Sequence, residues 1–559
     1  MAATAATGMR RSSAAGARAP EPASEARAGQ SAAVTPVPGG RQRAGSRRRS
    51  RNGGLWLGVW PLLAVLAVQA ALSLRLVGAD TAFQDEATYL WAGHLQWTHW
   101  LHGTPIPPFP AYFSGAPVIY PPLGALADSA GGLAGARVLS LVFMLGATVL
   151  LWRSAGRLFG RRAAFFAAAL FAVLGPTLHL GAFATYDALS VLLVAFAAWC
   201  VIRAGDRGEG TGWMLAAGAA LAVANAAAYS SALFDLVVLA LALLTALPSG
   251  GRLAARRCAV LLITVAVLVT AGLLAGGSTY LTGVEQTTLA RVASSDSPLS
   301  VLINAWSWTG VVLVLAVGGV IISWASRAGW VQTWLLAVLA AAAVLGPVEQ
   351  ARLHTLASLN KHVGLGAWFA AIAAGYAVDR FIAAAPAGRT QAVTTGACVV
   401  ALVFPTALGA SQSWVFSTDW PNASSFIAIF GPLADHSSGH LLVEDASIAR
   451  YYLSSGSNWR RWSSTRNIVL PSGANTAGPS SAAGVTGAGN AGVYAAFITH
   501  GYFSYVALNF ADTTALDHKI ADQLHRDPRY HIITAGVIPY GSPANSHGTY
   551  IVWQYERPS

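Results

Sequence analysis

Ala79-Asp80-Thr81-Ala82-Phe83-Gln84-Asp85-Glu86-Ala87-Thr88-Tyr89-Leu90-Trp91 sets two adjacent carboxylates, Asp85 and Glu86, just behind a long apolar run at residues 55 to 77. That run can cross a hydrocarbon core of about 30 Å as a helix. It also exceeds the apolar core of about 7 to 15 residues in a cleavable signal peptide, so it is read as a retained span. From Glu86 to Leu101 the pattern is helical, with Tyr89, Leu90, Trp97, Trp100 and Leu101 in one sector, as in a helix lying in a membrane interface. Asp85 falls at the N-terminus of this helix. A carboxylate there caps the helix and offsets its dipole. It is equally well placed to take a proton from an acceptor hydroxyl, as a general base must.

Composition extends the membrane reading to most of the chain. Of 559 residues, 54% are hydrophobic and only 10% charged, against about 25% charged in soluble domains. Eleven spans are predicted near residues 55–77, 133–152, 163–181, 184–202, 213–229, 230–248, 258–280, 305–326, 330–348, 363–382 and 394–412. One set of loops carries Arg153, Arg157, Arg161, Arg162, Arg203, Arg207, Arg252, Arg256, Arg257, Arg327, Arg380 and Arg389. The other carries only Arg75, Arg137, Arg291, Arg352 and Lys361. Cations are retained in the cytoplasm, so the first set lies inside and the C-terminus outside. Ten of the 35 cations crowd into the first 51 residues, which are rich in Ala, Gly, Ser and Pro. Residues 1–54 are therefore read as a disordered cytoplasmic tail, and the net charge of +12 does not imply a nucleic-acid partner.

After residue 412 polar residues rise. Residues 413–559 are expected to form an extracytoplasmic α/β domain, with strands at Leu441–Val443, Tyr494–Ile498, Tyr505–Phe510, Tyr530–Thr534 and Thr549–Trp553 and helices at Ser447–Leu453 and Thr514–His525. A Gly-, Ser- and Ala-rich stretch from Ser472 to Gly492 interrupts it. Cys200, Cys258 and Cys398 all lie in apolar runs and behave as small hydrophobes.

Several short motifs follow the acidic pair in order: Tyr120-Pro121-Pro122-Leu123, Arg137 at the start of span two, Arg157-Leu158-Phe159-Gly160, Ala184-Thr185-Tyr186-Asp187, and Ser358-Leu359-Asn360-Lys361-His362. Together these make residues 55–412 resemble the GT-C superfamily glycosyltransferases of family 39, the protein O-mannosyltransferases and lipid A aminoarabinose transferases. The resemblance implies a GT-C transmembrane domain of about eleven helices. It also implies transfer of a hexosyl or pentosyl group from a polyprenyl-phosphate donor to a glycan, protein or lipid acceptor at the outer face of the cell membrane, with inversion. Asp85 is then the base and Glu86 orients the base or the acceptor. Asp187 is carried over as an acceptor-binding or supporting residue. Family members often place a Lys just before the Pro-Pro pair; Ile119 and Tyr120 stand there instead.

A departing lipid phosphate needs cations, and the outward-facing pool is Lys361, Arg137, Arg291 and Arg352, with His362 and His354 as added donors. Lys361 is conspicuous because Lys519 is the only other lysine. His94, His99 and His102 raise a metal reading, but their spacing does not converge three ligands. No metal ligand is assigned, and a divalent metal is the one cofactor left open. Asn422-Ala423-Ser424 is a sequon, and Tyr451, Tyr452, Trp459 and Trp462 are candidates for stacking on sugar rings. The competing function is a transporter or lipid-linked sugar flippase, for which an acid within a span, Asp235, would be the pointer.

Overall fold

The computed structural model of the chain describes residues 53–205, 210–288, 290, 293–454, 456–465, 491–510, 513–539 and 547–556. The basic tail and the Ser472–Gly492 stretch lie almost wholly outside the described residues, as does Arg291. The membrane part begins with α1 (Gly53–Leu74), α2 (Gln84–His102), α3 (Tyr120–Phe159), α4 (Arg161–Ala172), α5 (Gly175–Leu180) and α6 (Tyr186–Ala204). It continues through α7 (Thr211–Ala227), α8 (Asp235–Ala246), α9 (Gly251–Thr287), α10 (Pro298–Ala325) and α11 (Trp330–Arg352). It closes with α12 (Leu359–Ala384), α13 (Arg389–Ala401) and α14 (Val403–Phe416).

Among the described residues, eight helices are long and apolar enough to cross a membrane. They coincide with eight of the predicted spans, and the chain is a multi-pass membrane protein. Two of the other three predictions fall on shorter apolar helices, Val59–Leu74 within α1 and Thr211–Ala227, which is α7, and the third falls on the α4–α5 pair. The span predicted at 163–181 is broken because Pro176 has no N–H to donate and opens a new helix at Gly175. The central helices are α6 and α12, most of whose residues are buried. Trp368 of α12 donates its indole N–H to Ala147 O of α3 at 2.9 Å. By contrast α9 exposes Leu262, Ile263, Val267 and Leu274, as befits a helix facing lipid.

Two local features shape the end of the bundle near Asp85. First, α3 is kinked where Gly131 and Gly132 leave the helical region, Gly132 with φ +62°. The kink lets its first eleven residues run alongside α2. Second, α2 approaches α3 so closely at Gly93 that a Cβ there would sit 1.9 Å from Pro121 O. The expected one-sided apolar stripe on α2 is not what is seen. Glu86 to Leu95 are buried on nearly every side, while Trp100 and Leu101 are exposed, so burial is sorted along the helix rather than around it.

The C-terminal α/β domain starts with α15 (Ser424–His436), β1 (His440–Val443), α16 (Ala446–Leu453) and β2 (Trp462–Ser464). It ends with α17 (Ala491–Thr499), β3 (Phe503–Leu508), α18 (Thr514–Arg526), β4 (Tyr530–Pro539) and β5 (His547–Tyr555). The sheet order is β2-β1-β3-β5-β4. β2, β1 and β3 run parallel, and β5 and β4 join antiparallel. Side chains alternate as a pleated strand requires. Leu442, Val506 and Trp553 pack under α17 and α18, while Leu441, Val443, Ala507 and Val552 pack under α15 and α16. The strand expected at Tyr494–Ile498 is a correction: it is the helix α17, in which Tyr494 and Ile498, four residues apart, bury one face.

Candidate active site

Three helix N-termini meet at the end of the bundle on which the α/β domain sits. Asp85 is the second residue of α2, Asp187 the second of α6 and Lys361 the third of α12. Each terminus presents N–H groups without intrahelical partners and the positive end of a helix dipole. Lys361 Nζ donates to Asp85 Oδ2 at 2.5 Å and lies 5.8 Å from the centre of the Phe183 ring. The bond takes one carboxylate oxygen of Asp85; Oδ1 makes no hydrogen bond among the described residues. Asp187 accepts the Thr185 hydroxyl at 2.9 Å.

Asp85, Asp187 and Lys361 line a cavity of about 590 Å³, together with Tyr89, Tyr186, His362 and apolar residues such as Leu233, Leu345 and Leu365. Tyr89 and Tyr186 pack with ring centres 4.7 Å apart. His362 meets Gln350 through its Nδ1. The turn that delivers Lys361 is strained, because Ser358 adopts φ +65°, the left-handed region, which costs a non-glycine residue about 1–3 kcal/mol.

Glu86 and Arg137 are brought together elsewhere. Arg137 grips the Glu86 carboxylate with Nε and Nη2 at 2.8 and 2.7 Å. Its other N–H groups go to the carbonyls of Val77, Asp80 and Thr81. Glu86 also accepts the amides of Ala184 at 2.8 Å and Phe83 at 3.1 Å. The N-cap of α2 is therefore Phe83, served by Glu86, and not Asp85. Both members of the pair are buried and neither lines the cavity. Their geometry ties the start of α2 to α3 and to the turn before α6. Arg352, exposed, pairs with Glu349 at 2.6 Å, and the His354 ring reaches Asp296 O at 3.1 Å; neither touches the cavity.

The loop from Ala79 to Phe83 is held from above by the α/β domain. Trp420 donates its indole N–H to Thr81 O at 3.0 Å, and Asn422 donates to Asp80 Oδ1 at 2.7 Å. Tyr452 accepts the Ala82 amide at 2.8 Å. Burial pushes the Asp80 carboxyl above its ordinary value, against the opposing bonds from Thr81 and Asn422 and the nearby Arg137 charge. Asn422, read in the sequence as a sequon, is thus engaged within the protein.

The aromatic residues nominated for sugar stacking are also engaged. Tyr451 donates to Asp128 at 2.6 Å, Trp459 packs against Trp91 and Trp462 lies in the domain core. His94 bonds to the same Asp128 at 2.6 Å while His99 turns to Thr104 O. No group of three or more metal-ligating side chains is found among the described residues. Sequence reasoning missed Phe183, Asp128 and the Trp420–Tyr452 clamp. Only Trp420 left a signal, as an aromatic just past the last span.

Residues 126–275 match the model of the family described as dolichyl-phosphate-mannose-protein mannosyltransferase. No curated protein matches the chain. Among solved structures, ArnT from Cupriavidus metallidurans bound to undecaprenyl phosphate is similar with a TM-score of 0.54 at 15% identity, over 90% of this chain and 98% of that one. The Archaeoglobus fulgidus oligosaccharyltransferase tethered with an acceptor peptide is similar with a TM-score of 0.52 at 13% identity, over 89% of this chain and 74% of that one. The arabinofuranosyltransferase AftD from Mycobacteria gives 0.50 at 16%, over 88% of this chain and 40% of that one. The chain shares the fold of these membrane proteins.

Proposed function

We propose that the chain is a membrane glycosyltransferase that moves a sugar from a polyprenyl-phosphate carrier to an acceptor hydroxyl at the outer face of the cytoplasmic membrane, inverting the anomeric carbon. The observation that carries this reading is the Asp85–Lys361 pair at the meeting of three helix N-termini, beside a cavity that turns from charged to apolar. The acceptor hydroxyl gives its proton to Asp85 Oδ1 as its oxygen bonds to the anomeric carbon. The bond from that carbon to the phosphate oxygen breaks, and its electron pair leaves with the polyprenyl phosphate. Lys361 and the helix N–H groups meet the growing charge. One displacement gives inversion.

Asp187, on the cavity wall, orients the acceptor. Glu86 and Arg137 act as positioning residues, because their polar groups are taken up within the protein. The apolar side chains of α8, α11 and α12 suit an isoprenoid tail. The similar ArnT structure, which holds undecaprenyl phosphate, and the mannosyltransferase family match support the same donor class.

The flippase reading has one pointer, Asp235, which opens α8 and accepts Asn225 Nδ2 at 2.7 Å. Full-length protein in nanodiscs, given polyprenyl-phosphate mannose or arabinose labelled in the sugar together with oligosaccharide acceptors, separates the two. Label on the acceptor with free polyprenyl phosphate is the expected result. Label crossing the bilayer of proteoliposomes on intact lipid, with no acceptor modified, would overturn the proposal.

A further inference from the structure

An apolar groove of about 430 Å³ runs between α10 and α14, lined by Leu174, Trp306, Val311, Val314, Phe404 and Leu408. Each wall is fastened to a different neighbour, which keeps the two from closing on each other. Gly409 brings α14 against the end of α4, where a Cβ would sit 1.8 Å from Val173 O, and Gly319 brings α10 against α12, where a Cβ would sit 2.7 Å from Ala373 O. The walls join at the end nearer the catalytic pair. There Gln412 donates its side-chain amide to Ser307 O at 2.9 Å, and the Trp308 and Phe416 rings meet edge to face at 5.0 Å. Beyond that join, Phe416, His179 and Phe183 form an aromatic layer with ring centres 5.7 and 4.5 Å apart, and Lys361 rests over Phe183. The groove is therefore separate from the catalytic cavity, and its occupant is not a substrate of the Asp85–Lys361 pair.

Its length and chemistry fit one hydrocarbon chain. Both walls belong to helices long and apolar enough to cross a membrane, and no charged residue lines the groove. Trp306, Val314 and Phe404 are exposed, so the groove opens on the surface that meets lipid. From Trp306 to Leu315 the α10 wall runs about 14 Å, at a rise of about 1.5 Å per residue. One leaflet of the hydrocarbon core is about 15 Å deep, the reach of a single acyl chain; a polyprenyl tail is several times longer. Trp306, at the joined end, marks the level of the headgroups, where indole rings settle. A cation stands at the same level. Arg75 donates to Ala410 O and, at 3.1 Å, to Ser413 Oγ, on the turn of α14 that also carries Gly409 and Gln412 of the groove. Its guanidinium is exposed and pairs with no carboxylate among the described residues, which leaves its charge to a lipid phosphate.

We propose that this groove binds one acyl chain of a phospholipid from the leaflet on the Asp85 side, with the lipid phosphate against Arg75, as a resident lipid wedged between α10 and α14. The inference does not rest on the glycosyl-transfer reading. Full-length protein is reconstituted with phosphatidylglycerol, extracted in mild detergent and washed stepwise, and the lipid retained is counted by native mass spectrometry. Val311→Trp and Leu408→Trp fill the groove. Val267→Trp, at an exposed position of α9, is the control for lipid held loosely around the whole protein. Arg75→Gln removes the cation.

Wild type and Val267→Trp should each keep one phosphatidylglycerol after the wash, while Val311→Trp and Leu408→Trp keep none and remain folded. Phosphatidylglycerol added back should bind Arg75→Gln about fivefold more weakly than wild type. Retention by either groove-filled variant at the wild-type level, or loss of all lipid from wild type, overturns the site. Equal affinity in Arg75→Gln overturns the phosphate contact, and displacement of the lipid by equimolar polyprenyl phosphate overturns the acyl chain as the occupant.

Discussion

Lys361 and Asp85 are 276 residues apart and meet at 2.5 Å, so each sets what the other does. A buried ammonium with three donors can hold the carboxylate with one and a phosphate with the others. Replacing it by alanine should raise the KM for the lipid donor by about ten- to a hundredfold, the scale of a lost charge-assisted hydrogen bond, and by more than it lowers kcat. An unchanged KM would remove Lys361 from the phosphate. Arg137 is expected to behave differently. Arg137→Met leaves Glu86 buried without its cation, at a cost of about 3–5 kcal/mol, read as a large fall in Tm; a Tm equal to wild type would contradict the positioning role. The sequence singled out Asp85 because a charge behind a span is conspicuous on its own. It did not show what Glu86 bonds to, because its partners are 51 and 98 residues away.

The elements around the site are placed by close approach more than by amphipathic pattern. Gly93→Ala puts a methyl group 1.9 Å from Pro121 O, so α2 must retreat from α3. The expected outcome is a loss of about 1–3 kcal/mol in stability together with reduced transfer; full stability and activity would show that the α2–α3 contact does not set the site. Spans of strong, long apolarity such as α9 and α10 were readable, since length and lack of charge are local properties. The α4–α5 break was carried by Gly175-Pro176, yet continuous apolarity across it masked the signal. Tyr494–Ile498 was misread as a strand because a short apolar run fits both periods, and the partner that decides, the Ser464 carbonyl bonded by Tyr494, is distant in sequence.

At the scale of the whole molecule, the α/β domain and the membrane helices share one loop. Residues 79–83 are gripped from below by Arg137 and from above by Trp420, Asn422 and Tyr452. Trp420→Ala should therefore lower kcat by about tenfold or more through misplacement of Asp85, with donor binding kept; an unaltered kcat would mean that the α/β domain does not position the loop. The sequence marked this domain as a separate module, but its grip on the loop was hidden because the contacts join segments more than 300 residues apart. The most direct test of the central claim is transfer by Asp85→Asn, a variant of nearly the same shape, in nanodiscs with a labelled polyprenyl-phosphate sugar. Transfer should fall by about 10²- to 10⁴-fold while the protein stays folded and still binds the lipid donor. Transfer at the wild-type rate would contradict the account.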